Sequence, residues 1–258
     1  MQIDIDIAMQ YQVFGDPTAL LTIEAAHYPG QIIQSQFIDI AGATVTRIQG
    51  ESGVGQRIWA HLPNENLSLR YTARVDVTRC NTDISYLSAA PTHTLPSEAI
   101  GYLRPSRYCQ SDMFPAFVSR RFGHLEGGAR VAAIRDWVQA EMSYVPEASG
   151  PATTVLDTFA AREGVCRDYV HMVCALVRAA GIPARYASVY GPDVTPPDFH
   201  AVAQVWLEGD WHMVDATGMG NSDAMAMIAV GRDACDVAFM ETPGPAMLIA
   251  QSVRVTPA

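Results

Sequence analysis

The sequence predicts an α+β protein, with an N-terminal antiparallel β-sandwich followed by helices packed on an antiparallel sheet. Three observations carry this prediction. Up to about residue 90 the chain alternates apolar and polar side chains, the period of half-buried strands. From about residue 111 to 180 it has helical periodicity and capping residues, and strand-like runs return afterwards. Its length of 258 residues suits one large domain or two modest ones. Residues 91–111 carry Pro91, Pro96, Gly101 and Pro105 and read as a linker, so the expected division is a sandwich over 1–95 and a second domain over 96–258.

In the first part, Ile3, Ile5 and Ile7 alternate with Asp4 and Asp6. Leu67, Leu69, Tyr71, Ala73, Val75 and Val77 alternate with polar residues from Ser68 to Thr78, which predicts a long half-buried strand. Gly15-Asp16-Pro17, Tyr28-Pro29-Gly30 and Gly50–Gly53 supply turns. In the second part, Ser111-Asp112 caps an expected helix running to about Phe122, and a second helix is expected from about Gly128 to Ser143. A short helix capped by Thr153 or Thr154 follows and ends near Gly164. The next begins at Cys166 and ends near Ala180, with Gly181 and Pro183 as stop signals. Strands are expected at Ala184–Tyr190, His200–Leu207, Trp211–Ala216 and Leu248–Val255.

Apolar residues make up 49% of the chain and charged residues 17%, an ordinary soluble composition. A net charge of −10 argues against nucleic acid and anionic membranes as partners. The N-terminus lacks the basic-then-apolar pattern of a signal peptide, so a cytoplasmic setting is expected. Five cysteines without a C-x-x-C cannot all pair.

Chemistry concentrates after residue 160. Cys166 stands in the first turn of its helix, where unpaired N–H groups and the helix dipole favour a thiolate. Cys166, Val170, Val173, Cys174 and Val177 share one apolar stripe. If the hairpin turns at Glu208-Gly209, Trp206 faces Trp211, Gln204 faces Met213 and Val202 faces Asp215. Asp215 then lies one diagonal step from His200, roughly 7–8 Å between α-carbons. A turn at Gly209-Asp210 would carry Asp215 too far along the strand, so the first register is expected. A carboxylate there orients one imidazole nitrogen and leaves the other for a thiol, giving a nucleophile, base and orienter in Cys166, His200 and Asp215. The backbone N–H of Cys166 is one oxyanion donor, with Tyr144 or a threonine near 153 as candidates for the second. Asp168 reads as a first-turn acid that favours the helix dipole. The Trp206–Trp211 pair reads as cross-strand packing, and His212 alternates away from Asp215. In Cys166-x₄-His171-x₂-Cys174, His171 and Cys174 share a helix face while Cys166 does not join His171, so no metal is expected.

Taken together, Tyr144, Thr153-Thr154, Gly164-Val165-Cys166-Arg167-Asp168-Tyr169, Gly181-Ile182-Pro183-Ala184-Arg185-Tyr186, Asp198-Phe199-His200-Ala201 and Trp211–Thr217 resemble the bacterial transglutaminase-like superfamily. The β-rich N-terminal segment is similar to the domain that accompanies many bacterial members. The resemblance implies a papain-like core whose triad maps onto Cys166, His200 and Asp215, with no cofactor. It departs from the family pattern at Val202, where an aromatic is common, and at Gln204, where an acid is common. What it implies is thiol-dependent acyl transfer on a peptide or protein amide through a thioester. Hydrolysis by a cysteine peptidase or amidase is the first expectation. Protein-glutamine transglutamination, with an amine as acceptor, and a non-catalytic binding protein that retains the fold are the alternatives. Oligomeric state is left open.

Overall fold

The computed structural model describes residues 1–80 and 82–258. It opens with β1 (Gln2–Val13), β2 (Thr18–Leu21), β3 (Gln31–Ile40), β4 (Thr44–Gln49), β5 (Gln56–His61) and β6 (Asn66–Val77). The middle of the chain forms α1 (Ser97–Ile100), α2 (Pro115–Phe122), α3 (Gly127–Glu141), β7 (Ser143–Tyr144), α4 (Val155–Ala161), β8 (Glu163–Gly164) and α5 (Cys166–Ala179). The last part supplies β9 (Ala184–Tyr190), β10 (His200–Leu207), β11 (Asp210–Val214), β12 (Ala226–Gly231), β13 (Met240–Glu241) and β14 (Ala246–Pro257).

The sandwich consists of two four-stranded antiparallel sheets, ordered β14-β1-β6-β3 and β13-β2-β5-β4. Alternation decides its interior. Ile3, Ile5, Ile7 and Met9 of β1 and all six apolar positions of β6 are buried, as are Ala19, Leu21, Ile58 and Ala60 from the other sheet. The outer face carries exposed cross-strand ion pairs, Arg70 with Asp6 and Arg74 with Asp4, which contribute little in water. The final strand corrects the expected division. β14 pairs with β1 and β13 with β2, so part of the stretch assigned to the second domain, 96–258, completes the sandwich. Strand periodicity marked the segment as β structure but could not say which edge it joins. The second body, with its own sheet, is therefore inserted between strands of the first.

Two helix boundaries also differ from expectation. Ser111–Met113 is a 3₁₀ turn, and α2 starts only at Pro115, a residue suited to the first helical position because its missing N–H has no partner to lose. α4 stops at Ala161 because Arg162 takes the left-handed conformation, φ 60°.

The second sheet is antiparallel, ordered β11-β10-β9-β12, and every residue of β9 and β10 is buried. α5 lies against β9 and β10 and is flanked by α3 and α4. Its buried surface is wider than the expected stripe, because every residue from Asp168 to Arg178 is buried. The polar members are held by specific bonds. Arg178 donates from Nε to the Ala184 carbonyl at 2.8 Å and also reaches the carbonyls of Arg104 and Arg232. Buried side chains of the sandwich and of the helical half form one continuous apolar cluster. Polar stitches join the two: Tyr190 Oη donates to the Ile23 carbonyl at 2.7 Å, and the Ala26 N–H to the Met227 carbonyl at 2.8 Å. Among the described residues no helix is long and apolar enough to cross a membrane.

Candidate active site

The nucleophile's position is built by local chain geometry. β7 and β8 pair in parallel, Tyr144 opposite Gly164, which brings Tyr144 to the start of α5. Asp168 Oδ2 accepts from the Val165 N–H at 2.9 Å and so caps the helix from its third position. That approach requires glycine at 164, since a Cβ there would stand 2.6 Å from Asp168 Cβ. Cys166, the first helical residue, is partly exposed. Arg167 turns away to donate to the carbonyls of Gly150 and Thr153 at 2.7 and 3.3 Å, fixing the neighbouring loop, and it sits 3.5 Å from Asp168.

His200 opens β10 and is 1% exposed. The β10–β11 register pairs Leu207 with Asp210, Trp206 with Trp211 and Gln204 with Met213, as the Glu208-Gly209 turn requires. Both turn residues have positive φ, 50° and 86°, the conformation of a two-residue hairpin whose twist matches its strands. The register delivers Asp215: its Oδ2 lies 3.0 Å from His200 Nε2. Its other oxygen, Oδ1, accepts from the backbone N–H and the hydroxyl of Thr217, each at 2.7 Å, so the carboxylate is fixed at both ends.

His200 Nδ1 is buried and has no hydrogen-bond partner within ordinary limits. The Cys166 sulfur is nevertheless close enough to couple to the ring. Burial works to expel the imidazole proton and is the largest single effect. The hydrogen bond to Asp215, the adjacent Cys166 sulfur and the charges of both outweigh it and carry the His200 pKa up to about 9. Tyr144, paired with Gly164, stands beside Cys166. Burial, then the nearby Cys166 charge, push its pKa up to about 12, so the phenol keeps its proton.

Cys166 and His200 open onto a cleft of about 730 Å³. The structure thus gathers the three predicted residues in one place. The other candidates lie elsewhere. His212 approaches the Leu207 carbonyl at 3.2 Å. Trp206 and Trp211 meet edge to face at 5.2 Å, with the Arg185 guanidinium 4.0 Å from the Trp211 ring, a packing arrangement. His171 and Cys174 are fully buried. Burial pushes His171 down to about 3 and Cys174 up to about 11, and His171 Nε2 accepts from the Ala234 N–H at 3.2 Å. Thr217 was not singled out from sequence, although Asp-x-Thr spacing is the signal of a side chain that bonds its own backbone two residues on.

Architecture and site define the class: an α+β protein with a cysteine at a helix N-terminus facing a histidine–aspartate pair on a hairpin. Residues 118–216 match the model of the transglutaminase-like superfamily. A candidate cysteine protease from Cytophaga hutchinsonii, of known crystal structure, is 31% identical, with a TM-score of 0.91 over 99% of this chain and 90% of that one. The chain belongs to the transglutaminase-like superfamily. An uncharacterized protein of Mycobacterium leprae is 31% identical over 147 residues, and the match spans 53% of this chain and about half, 52%, of that curated relative. A looser likeness is to the periplasmic domain of TgpA from Pseudomonas aeruginosa, TM-score 0.42 at 19% identity over 82% of this chain and 76% of that one.

Proposed function

We propose that the protein is a thiol-dependent amide hydrolase acting on a peptide or protein amide. One observation carries the reading: a cleft-facing cysteine is coupled to a buried imidazole whose far nitrogen stands 3.0 Å from a fixed carboxylate. In this reading Cys166 passes its proton to His200 and its sulfur adds to the carbonyl carbon. The oxyanion is met by the Cys166 backbone N–H and the Tyr144 hydroxyl. His200 then gives its proton to the leaving amine, the C–N bond breaks and a thioester remains. Water, deprotonated by His200, adds to the thioester, the C–S bond breaks, and the carboxylate and the thiol are released. Asp215 holds the ring with Nε2–H towards itself and Nδ1 towards sulfur. The description of the Cytophaga relative as a candidate cysteine protease supports water over an amine as acceptor. A nucleophilic thiol and four further free cysteines suit a reducing compartment, in keeping with a cytoplasmic setting.

The test is iodoacetamide labelling of Cys166 across pH 5–9 in the wild type and in His200→Ala. Labelling that is fast near pH 6 and slows by about a hundredfold or more in the variant is expected for an activated pair, since general acid–base partners contribute on the order of 10²–10⁴. Equal, slow labelling in both would refute the triad. Incorporation of a labelled amine into a glutamine peptide, in place of hydrolysis, would assign the acceptor to amines.

A further inference from the structure

The sandwich is more than a neighbour of the cleft. Met9 and Tyr11 of β1, Met240 of β13 and Gln251 of β14 line it together with Cys166 and His200. Residues 234–241 cross from the inserted body to the sandwich along its edge. They are tied down where the Phe239 carbonyl accepts from the Thr22 N–H at 3.0 Å and where Met240 pairs with Leu21. The Phe239 ring stacks on Phe199, the residue before His200, with centroids 3.8 Å apart and planes at 18°. Apolar surface is therefore offered beside the histidine by Phe239 and Met240, with Met9 buried behind them. Phe239 and Met240 remain partly exposed.

The polar groups that β1 and β14 bring to the cleft, Tyr11 and Gln251, are already bonded. Tyr11 Oη donates to Gln251 Oε1 at 3.0 Å, and Gln251 Nε2 donates to Asp198 Oδ1 at 3.3 Å. The charged groups of the cleft are of both signs, Arg107 and Arg167 with Asp198 and Glu241, but a charged side chain set directly against Met240 and Phe239 would lose its water to apolar surface. An aliphatic or aromatic side chain would gain by covering them. We infer that the N-terminal sandwich supplies the specificity wall of the cleft and that the substrate carries an apolar side chain beside the reacting carbonyl. This rests on Cys166 being the nucleophile.

The experiment uses the full chain and four alkylating reagents with one warhead, the iodoacetyl amides of Leu, Phe, Lys and Glu amides. Each rate at Cys166 is divided by that of iodoacetamide on the same protein, which cancels the intrinsic reactivity of the thiol. The Leu and Phe reagents should react at least about tenfold faster than the Lys and Glu reagents, the usual discrimination of a small apolar pocket. Met240→Asp should erase that preference and Met240→Leu should keep it. Equal normalised rates for the four reagents, or a preference untouched by Met240→Asp, overturn the inference while leaving an activated Cys166 intact. Slow iodoacetamide labelling that His200→Ala does not change marks the separate failure of the triad, and the inference falls with it.

Discussion

Asp215→Asn isolates the carboxylate's share in the imidazole's proton affinity. In the wild type, four favourable interactions with His200 exceed the cost of burial by enough to lift its pKa from 6.5 to about 9. The Asp215 hydrogen bond is the largest of the four, and burial is larger than any of them. The carboxylate stands 3.0 Å from the ring, and an opposite charge that close is worth on the order of 1–3 pH units. The amide would also disturb the tautomer. Its oxygen is drawn to the two Thr217 donors, which turns the NH₂ group towards His200 Nε2 and leaves the ring proton on Nδ1, facing the thiol. Titration of the His200 ring by NMR should therefore give a midpoint near 9 in the wild type and at least one unit lower in the variant, with Cys166 labelling at pH 7 reduced by about tenfold or more. A wild-type midpoint at or below 6.5, or a midpoint that the substitution leaves in place, would refute this reasoning.

Stability should peak near neutral pH for two opposed reasons. The raised pKa of His200 stabilises the fold fully below about 6.5, and this is lost as pH rises through about 9. The pKa of His171, lowered to about 3 chiefly by burial, stabilises the fold above 6.5, and this is lost as pH falls towards 3. Urea midpoints that climb steadily from pH 7 to 9 would contradict the first half. Thr217→Val removes one donor from the Asp215 carboxylate and should cost about 1–2 kcal/mol in urea unfolding, with slower Cys166 labelling at pH 7. Tyr190→Phe strips the Ile23 carbonyl of a buried donor and should cost about 1–3 kcal/mol by the same measurement. Arg178→Met leaves the carbonyls of Ala184, Arg104 and Arg232 without their shared donor and should be the most damaging of the three, detectable as a lowered thermal midpoint.

The candidate site was legible because its determinants are short-range. The Cys166 helix declares its start and stop within about twenty residues, and a two-residue turn fixes which residues face each other in the hairpin. The strands of the sandwich were legible as strands for a similar reason, since alternation names the buried face of each one. Alternation does not name a partner. The return of β14 to β1, more than 230 residues away in the chain, follows from edge complementarity that no local pattern records. The same limit hid the part that Met9, Tyr11 and Gln251 play in the cleft. The burial of α5 on all sides is not legible because His171 and Arg178 read as polar until their partners on other segments are known.

The pairing of the first strand with the last has a consequence for how the chain comes to be folded. β1 is synthesised more than 230 residues ahead of β14, and one of its two edges waits for that partner through the whole interval. During that interval the row of backbone groups along that edge is an open template for strands of other chains. Asp4 and Asp6, set between the buried isoleucines of β1 and paired with Arg74 and Arg70 of β6, flank that edge with charge. Charged side chains beside an open edge discourage premature partners until Arg254 and its neighbours on β14 arrive.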